Sequence, residues 1–153
     1  MSEALDNLVR IGQLAKEPPS EAEIDGLVAS AEARLRDAEN QALSLESRFD
    51  LLYNVAHALA LASLRSLGYR SKNRYIVFQA TVHTLGMKAP ETRVLSDAHR
   101  KRNQLEYEGL ADVTEELVSA LHRVTLRLVE EVQAMRSTEG TSEEDTSEEG
   151  EGD

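Results

Sequence analysis

The chain has 153 residues, a formal net charge of −11, 41% hydrophobic residues and no cysteine. That length suits one domain able to bury a core unaided, and the missing cysteines exclude a disulfide framework, a thiolate zinc site and a cysteine nucleophile. The longest apolar run, 58–62, is far short of the roughly 20 residues a membrane span needs, and the acidic start Met1-Ser2-Glu3 has no basic region before an apolar stretch, so a cytoplasmic protein without membrane contact is expected.

Leu5, Leu8 and Leu14 suggest a short helix and linker over residues 1–17. After Pro18-Pro19 and a capping box Ser20-x-x-Glu23, the residues Ile24, Leu27, Val28, Ala31, Leu35, Ala38, Ala42 and Leu45 step by three and four. This spacing predicts one long amphipathic helix. A second is expected from about Ser47 to Leu67, with Phe49, Leu52, Ala56, Leu59 and Ala62 inward and Gly68 where a C-terminal glycine belongs. The stretch 69–73 reads as a polar loop. A third, shorter helix carries Tyr75, Phe78, Val82 and Leu85 and stops at Gly86; Pro90 and Glu91 then open a fourth that runs to Gly109. The last has Val113, Leu117, Leu121, Val124, Leu128, Val132 and Met135 on one face. No alternating segment or hairpin signal competes. The expectation is an all-α protein, an antiparallel up-and-down bundle of four to five helices over 18–136. Residues 137–153 contain only Ser, Thr, Gly, Glu and Asp, which cannot bury apolar area, so a disordered acidic tail is expected there.

The net charge hides a strong asymmetry. Residues 51–102 hold nine basic groups against Glu91 and Asp97, a net +7, whereas 1–50 carry −6, 103–136 carry −4 and 137–153 carry −8. A locally basic surface of this kind can bind an anion while the chain stays acidic overall.

The fourth helix breaks its own pattern, because Arg102 follows Leu95 and Ala98 and precedes Leu105 on an apolar stripe. A guanidinium there needs partners, since an unpaired buried charge costs several kcal/mol. Glu106, one turn on, is the expected partner, and His99, Asn103 and Tyr107 complete a polar patch on the same helix. His57 and His83 read as packed residues of the second and third helices, and His122 lies beside the core row of the last. No His-Glu-x-x-His pattern, glycine-rich phosphate loop or Gly-x-Ser-x-Gly elbow occurs, so no metal or other cofactor is expected.

The run Arg102-Asn103-Gln104-Leu105-Glu106-Tyr107 resembles the Arg-Asn-x-x-x-His motif of HEPN domains, small helical bundles of bacterial and archaeal toxin–antitoxin and defence systems. Tyr53-Asn54 with its Ala-rich run, Leu67-Gly68-Tyr69-Arg70 and the basic Arg100-Lys101-Arg102-Asn103 fit the same pattern, so the resemblance spans roughly residues 20–136. It implies a homodimer whose motif Arg and His face each other across the interface and cleave RNA without metal. Arg102 matches the motif Arg, which would hold and stabilise the scissile phosphate, and Asn103 matches the polar residue that orients the site.

Tyr107 stands where the motif has His. A phenol, ionising at about pH 10, is a poor general base at neutral pH, whereas imidazole titrates close to it. His99, one turn before Arg102, is the alternative imidazole. A branch of the family looks similar in carrying an acidic residue and Tyr here, and its members accompany a nucleotidyltransferase-fold partner. The resemblance therefore implies a HEPN-type protein that binds RNA or a nucleotide, either as a metal-independent endoribonuclease or without catalysis. Arg70, Lys72, Arg74, Arg100 and Lys101 would follow the phosphate backbone. The alternative is a non-enzymatic helical dimer serving as a protein-interaction module.

Overall fold

The computed structural model describes residues 2–109 and 112–151, with side chains described up to 138. Its elements in chain order are α1 (Glu3–Arg10), β1 (Ala15–Lys16), α2 (Glu21–Ala38), α3 (Leu45–Ser66), β2 (Tyr69–Arg70), α4 (Arg74–Thr84), α5 (Ala89–Glu108) and α6 (Glu115–Glu151). The fold is mostly helical, as expected. α3 lies at its centre, packed by α2, α6, α4 and α5. The Ala-rich stretch of α3 allows those close approaches: Val55, Ala56, Ala60 and Ala62 are buried along with Phe49, Leu52 and Leu59. Each large apolar side chain withdrawn from water contributes about 1.5–3 kcal/mol, so this helix anchors the bundle.

Local signals set most boundaries. Ser20 and Ser44 accept hydrogen bonds from the backbone N–H of Glu23 and Ser47 and so cap α2 and α3. The long helix expected through Leu45 instead ends at Ala38. Asn40 Oδ1 accepts from the Ala42 N–H, a local turn that competes with the helix, and Ser44 then starts α3 two residues earlier than the spacing suggested. At α5 the backbone N–H of Lys88 donates to Glu91 Oε1, and Gly109 closes the helix at φ 70°, a conformation that costs other residues a steric penalty.

Several expectations are corrected. The loop at 69–73 contains β2, which pairs antiparallel with β1 through Ala15↔Arg70 and Lys16↔Tyr69. A two-residue strand carries no detectable alternation, so only the pairing reveals it. The first residues also reach the core, with Leu5 and Leu14 buried and the Tyr69 hydroxyl donating to Asp6 Oδ1 at 2.6 Å. In α4 the buried residues are Val77, Phe78, Ala80 and Thr81, whereas Tyr75 and Val82 face outward. α4 packs against both α3 and α5, which turns its buried stripe away from the simple three-four row. His83 is exposed rather than packed.

α6 carries the backbone on to Glu151, through most of the stretch read as an acidic tail; its side chains from 139 onward, and residues 152–153, lie outside the described residues. Among the described residues no helix is long and apolar enough to cross a membrane.

Candidate functional site

Two arginine clusters exist, and they do different work. Arg65, only 1% exposed, is the largest fully buried side chain. Its Nε donates to Glu23 Oε1 at 2.8 Å, Nη1 to the Glu17 carbonyl at 2.9 Å and Nη2 to the Pro18 carbonyl at 2.8 Å. Arg70 completes the group by donating to both Glu23 oxygens and to Glu17. The bond from Arg65 holds the Glu23 carboxyl below its ordinary range, with the charges of Arg65 and Arg70 acting the same way. This cluster ties the segment before α2 to the end of α3. Arg70, expected on an RNA track, is thereby neutralised, and Lys72 lies exposed on a cleft that Arg70, Gln13 and Asn73 also line, away from the Tyr53 cluster.

The second cluster surrounds Tyr53 of α3. The Tyr53 hydroxyl is hydrogen-bonded to His99 Nδ1 at 2.9 Å, and their rings lie within 18° of parallel. The guanidinium of Arg102 sits 4.8 Å from the centre of the Tyr53 ring and that of Arg74 5.6 Å from it. Such cation–π contacts orient a guanidinium without neutralising it. His57 packs edge-on against Phe78, which also meets the edges of Tyr53 and His99. Helices α3, α4 and α5 each supply part of this arrangement.

Its electrostatics are strongly positive. Burial pushes His57 down to about 4, and Arg74, Arg102 and His99 add to the effect. His99 is lowered for the same reasons, burial first and then Arg74 and Arg102. Both imidazoles are therefore neutral at physiological pH. Arg74 Nη1 is shielded from solvent and has no hydrogen-bond partner. The carboxylate paired with Arg102 is Asp50, at 4.0 Å and itself largely exposed. Arg74, with one unmatched guanidinium nitrogen, and the weakly paired Arg102 are thus the guanidiniums of this cluster with hydrogen-bonding capacity to spare.

Arg102 is 26% exposed rather than buried, and its contacts are Tyr53 and Asp50 instead of Glu106, which faces solvent. The apolar stripe of α5 is buried through Leu95 and Ala98 and then lifts out of the core, so Arg102 needs no stranded partner there. Asn103 Nδ2 approaches His99 Nε2 at 3.4 Å. His99 and Asn103 open onto a groove of about 520 Å³ that Tyr75, Arg100, Gln104 and Tyr107 also line, whereas Arg102 borders a second groove with Asp50 and Glu106. Tyr107 is 81% exposed at the end of α5. Arg100 is paired with Asp97, and Lys101 is half-buried. His122 is hydrogen-bonded to Glu39. Among the described residues no group of His, Asp or Glu is placed to hold a metal ion.

Tyr53 and His57 were not singled out as site residues by their spacing, because both occupy core-facing turns of an apolar helix. Their signal is a polar-tipped aromatic and an imidazole one turn apart in an otherwise Ala- and Leu-rich run. No family model, curated protein or solved structure matches this chain.

Proposed function

We propose that Arg74 and Arg102, whose guanidiniums both lie against the Tyr53 ring, hold a phosphate of an RNA chain, and that the protein is a HEPN-type RNA-binding homodimer of a toxin–antitoxin or defence system, acting beside a nucleotidyltransferase-fold partner. The observation that carries the phosphate reading is that Arg74 Nη1 has no hydrogen-bond partner and Arg102 has its paired carboxylate 4.0 Å away, while both guanidiniums lie against the Tyr53 ring. A phosphate supplies the acceptor oxygens that these two guanidiniums lack. The family, the dimer and the partner rest on the resemblance of the 102–107 run.

Catalysis, in this reading, belongs to His99. Its Nδ1 is occupied by the Tyr53 hydroxyl, and its neutral ring is available as a base. His99 Nε2 takes the proton of a ribose 2′-hydroxyl, the 2′-oxygen attacks phosphorus, and the bond to the 5′-oxygen breaks as that oxygen takes a proton from water. The product is a 2′,3′-cyclic phosphate and a 5′-hydroxyl, with Arg74 and Arg102 stabilising the added negative charge. A second reading, binding without cleavage, is favoured by Tyr107, which stands in the motif His position and points to solvent.

Incubation of the pure protein with labelled RNA in the presence of EDTA separates these readings. Cyclic-phosphate ends that disappear in His99→Ala support the ribonuclease, and salt-sensitive binding of intact RNA supports the binding module. Failure to retain RNA even at about 50 mM salt, where phosphate contacts are strongest, refutes the phosphate site.

A further inference from the structure

The groove on the His99 flank of α5 differs in chemistry from the guanidiniums of Arg74 and Arg102 at the Tyr53 ring. Its walls carry two exposed aromatic rings, Tyr75 (46% exposed) and Tyr107 (81% exposed), and Tyr75 stands 6.3 Å from the His99 ring. Asn103 and Gln104, with side-chain amides, and Asp97 and Glu108, with carboxylates, line the same groove. Arg100, the basic residue on this wall, is paired with Asp97. Two carboxylates and a neutralised arginine make this groove unfavourable for a phosphate. Aromatic faces, amides and carboxylate acceptors suit a flat, neutral ring that carries N–H donors. A volume of about 520 Å³ lies in the range of small-molecule sites and admits such a ring.

We propose that this groove is a nucleobase subsite, which takes the unpaired base next to the phosphate held by Arg74 and Arg102 and prefers bases with an exocyclic amino group, adenine, cytosine or guanine, over uracil. The inference rests on that phosphate reading. Tyr75 and Tyr107 supply stacking faces, a contact that every base can make but only an unpaired one can reach. The carboxylates of Asp97 and Glu108 and the amide oxygens of Asn103 and Gln104 accept from the exocyclic amine, and uracil has none to give. His99 belongs to both halves of the site, since it lines the groove while its Nδ1 is bound to Tyr53 beneath the two guanidiniums.

The test is fluorescence anisotropy of the full chain with labelled oligoadenylate, oligocytidylate and oligouridylate of equal length, in EDTA and at fixed salt. The wild type is expected to bind the adenylate and cytidylate at least about fivefold more tightly than the uridylate. Glu108→Ala, which removes an acceptor, should bring those affinities toward that for oligouridylate, whereas Tyr107→Ala and Tyr75→Ala, which remove stacking faces open to every base, should each weaken all three oligomers. Both side chains are exposed, so neither truncation opens a core cavity, and a thermal melt of each variant checks folding. Arg74→Ala and Arg102→Ala should weaken all three oligomers alike. Equal affinity of the wild type for all three, or tyrosine truncations that leave every affinity unchanged, would overturn the base subsite and leave the phosphate reading standing. No binding of any oligomer overturns the phosphate reading and the subsite with it.

Discussion

Tyr53 and His99, 46 residues apart, share a 2.9 Å hydrogen bond between the phenol oxygen and Nδ1, with their rings nearly parallel. This bond occupies one imidazole nitrogen from the core side and leaves Nε2 toward Asn103 and the groove. Tyr53→Phe keeps the ring beneath Arg102 and removes only the bond, at a stability cost of about 1 kcal/mol. RNA cleavage by the variant should fall about tenfold or more while RNA affinity is nearly unchanged. Single-turnover kinetics set beside binding isotherms checks this; parallel losses in both would mean that Tyr53 acts on the phosphate itself.

Arg74 and Arg102 should contribute to binding far more than to folding. Arg102 is partly exposed and only loosely paired, so Arg102→Ala should change unfolding free energy by no more than about 1 kcal/mol. Each of Arg74→Ala and Arg102→Ala should reduce the slope of log affinity against log salt by about one, the signature of one lost phosphate contact. Titrations at several salt concentrations measure it, and an unchanged slope contradicts the assignment.

His57 gives the fold a pH dependence of known sign. Its folded value, about 4, lies below the ordinary value of 6.5, so between these pH values the unfolded chain binds the proton more readily. Stability is therefore complete above about pH 6.5 and declines as pH falls toward 4, where the cost reaches an order of 2–3 kcal/mol. The depressed His99 acts in the same direction. Urea unfolding at intervals across this window should show the decline, flattened in His57→Gln. A bound phosphate favours protonation of both rings, so RNA affinity should rise as pH falls from about 7 to 5.

Arg65 is the arginine whose loss should damage the fold. Arg65→Ala leaves the Glu17 and Pro18 carbonyls without their donor and Glu23 without its strongest partner, at a cost of about 3 kcal/mol given that both carboxylates keep some water. Arg65→Lys should recover little, because one ammonium cannot span this fork of acceptors. Denaturant midpoints for the two variants beside Arg102→Ala provide the comparison; equal losses at Arg65 and Arg102 would undo the distinction between the clusters.

Helix periodicity is a local property, and it was legible along the long helices whose three-four row stays in the core. Phe49, Leu52, Ala56 and Leu59 of α3, Leu121, Val124 and Leu128 of α6, and the capping signals at Ser20, Glu91 and Gly109 all hold as read from the chain. The reading failed where a short polar turn interrupts the apolar spacing or where packing against other elements decides. Asn40 ended α2 through a turn that the apolar spacing passes over, β2 exists only because β1 lies beside it, and α4 turned its stripe because two helices flank it.

The candidate site divides along the same line. The amino-acid sequence by itself placed Arg102, Asn103, His99 and Tyr107 on one helix and concentrated positive charge between residues 51 and 102. Only tertiary structure decided which positive charges remain available. Arg65 and Arg70 are consumed by Glu17 and Glu23, about 50 residues earlier, whereas Arg74 and Arg102 converge on the ring of Tyr53, which orients them without cancelling their charge. The physical reason is that residue type fixes a charge, but its neutralisation depends on distance and solvent, and those are set by which helices meet.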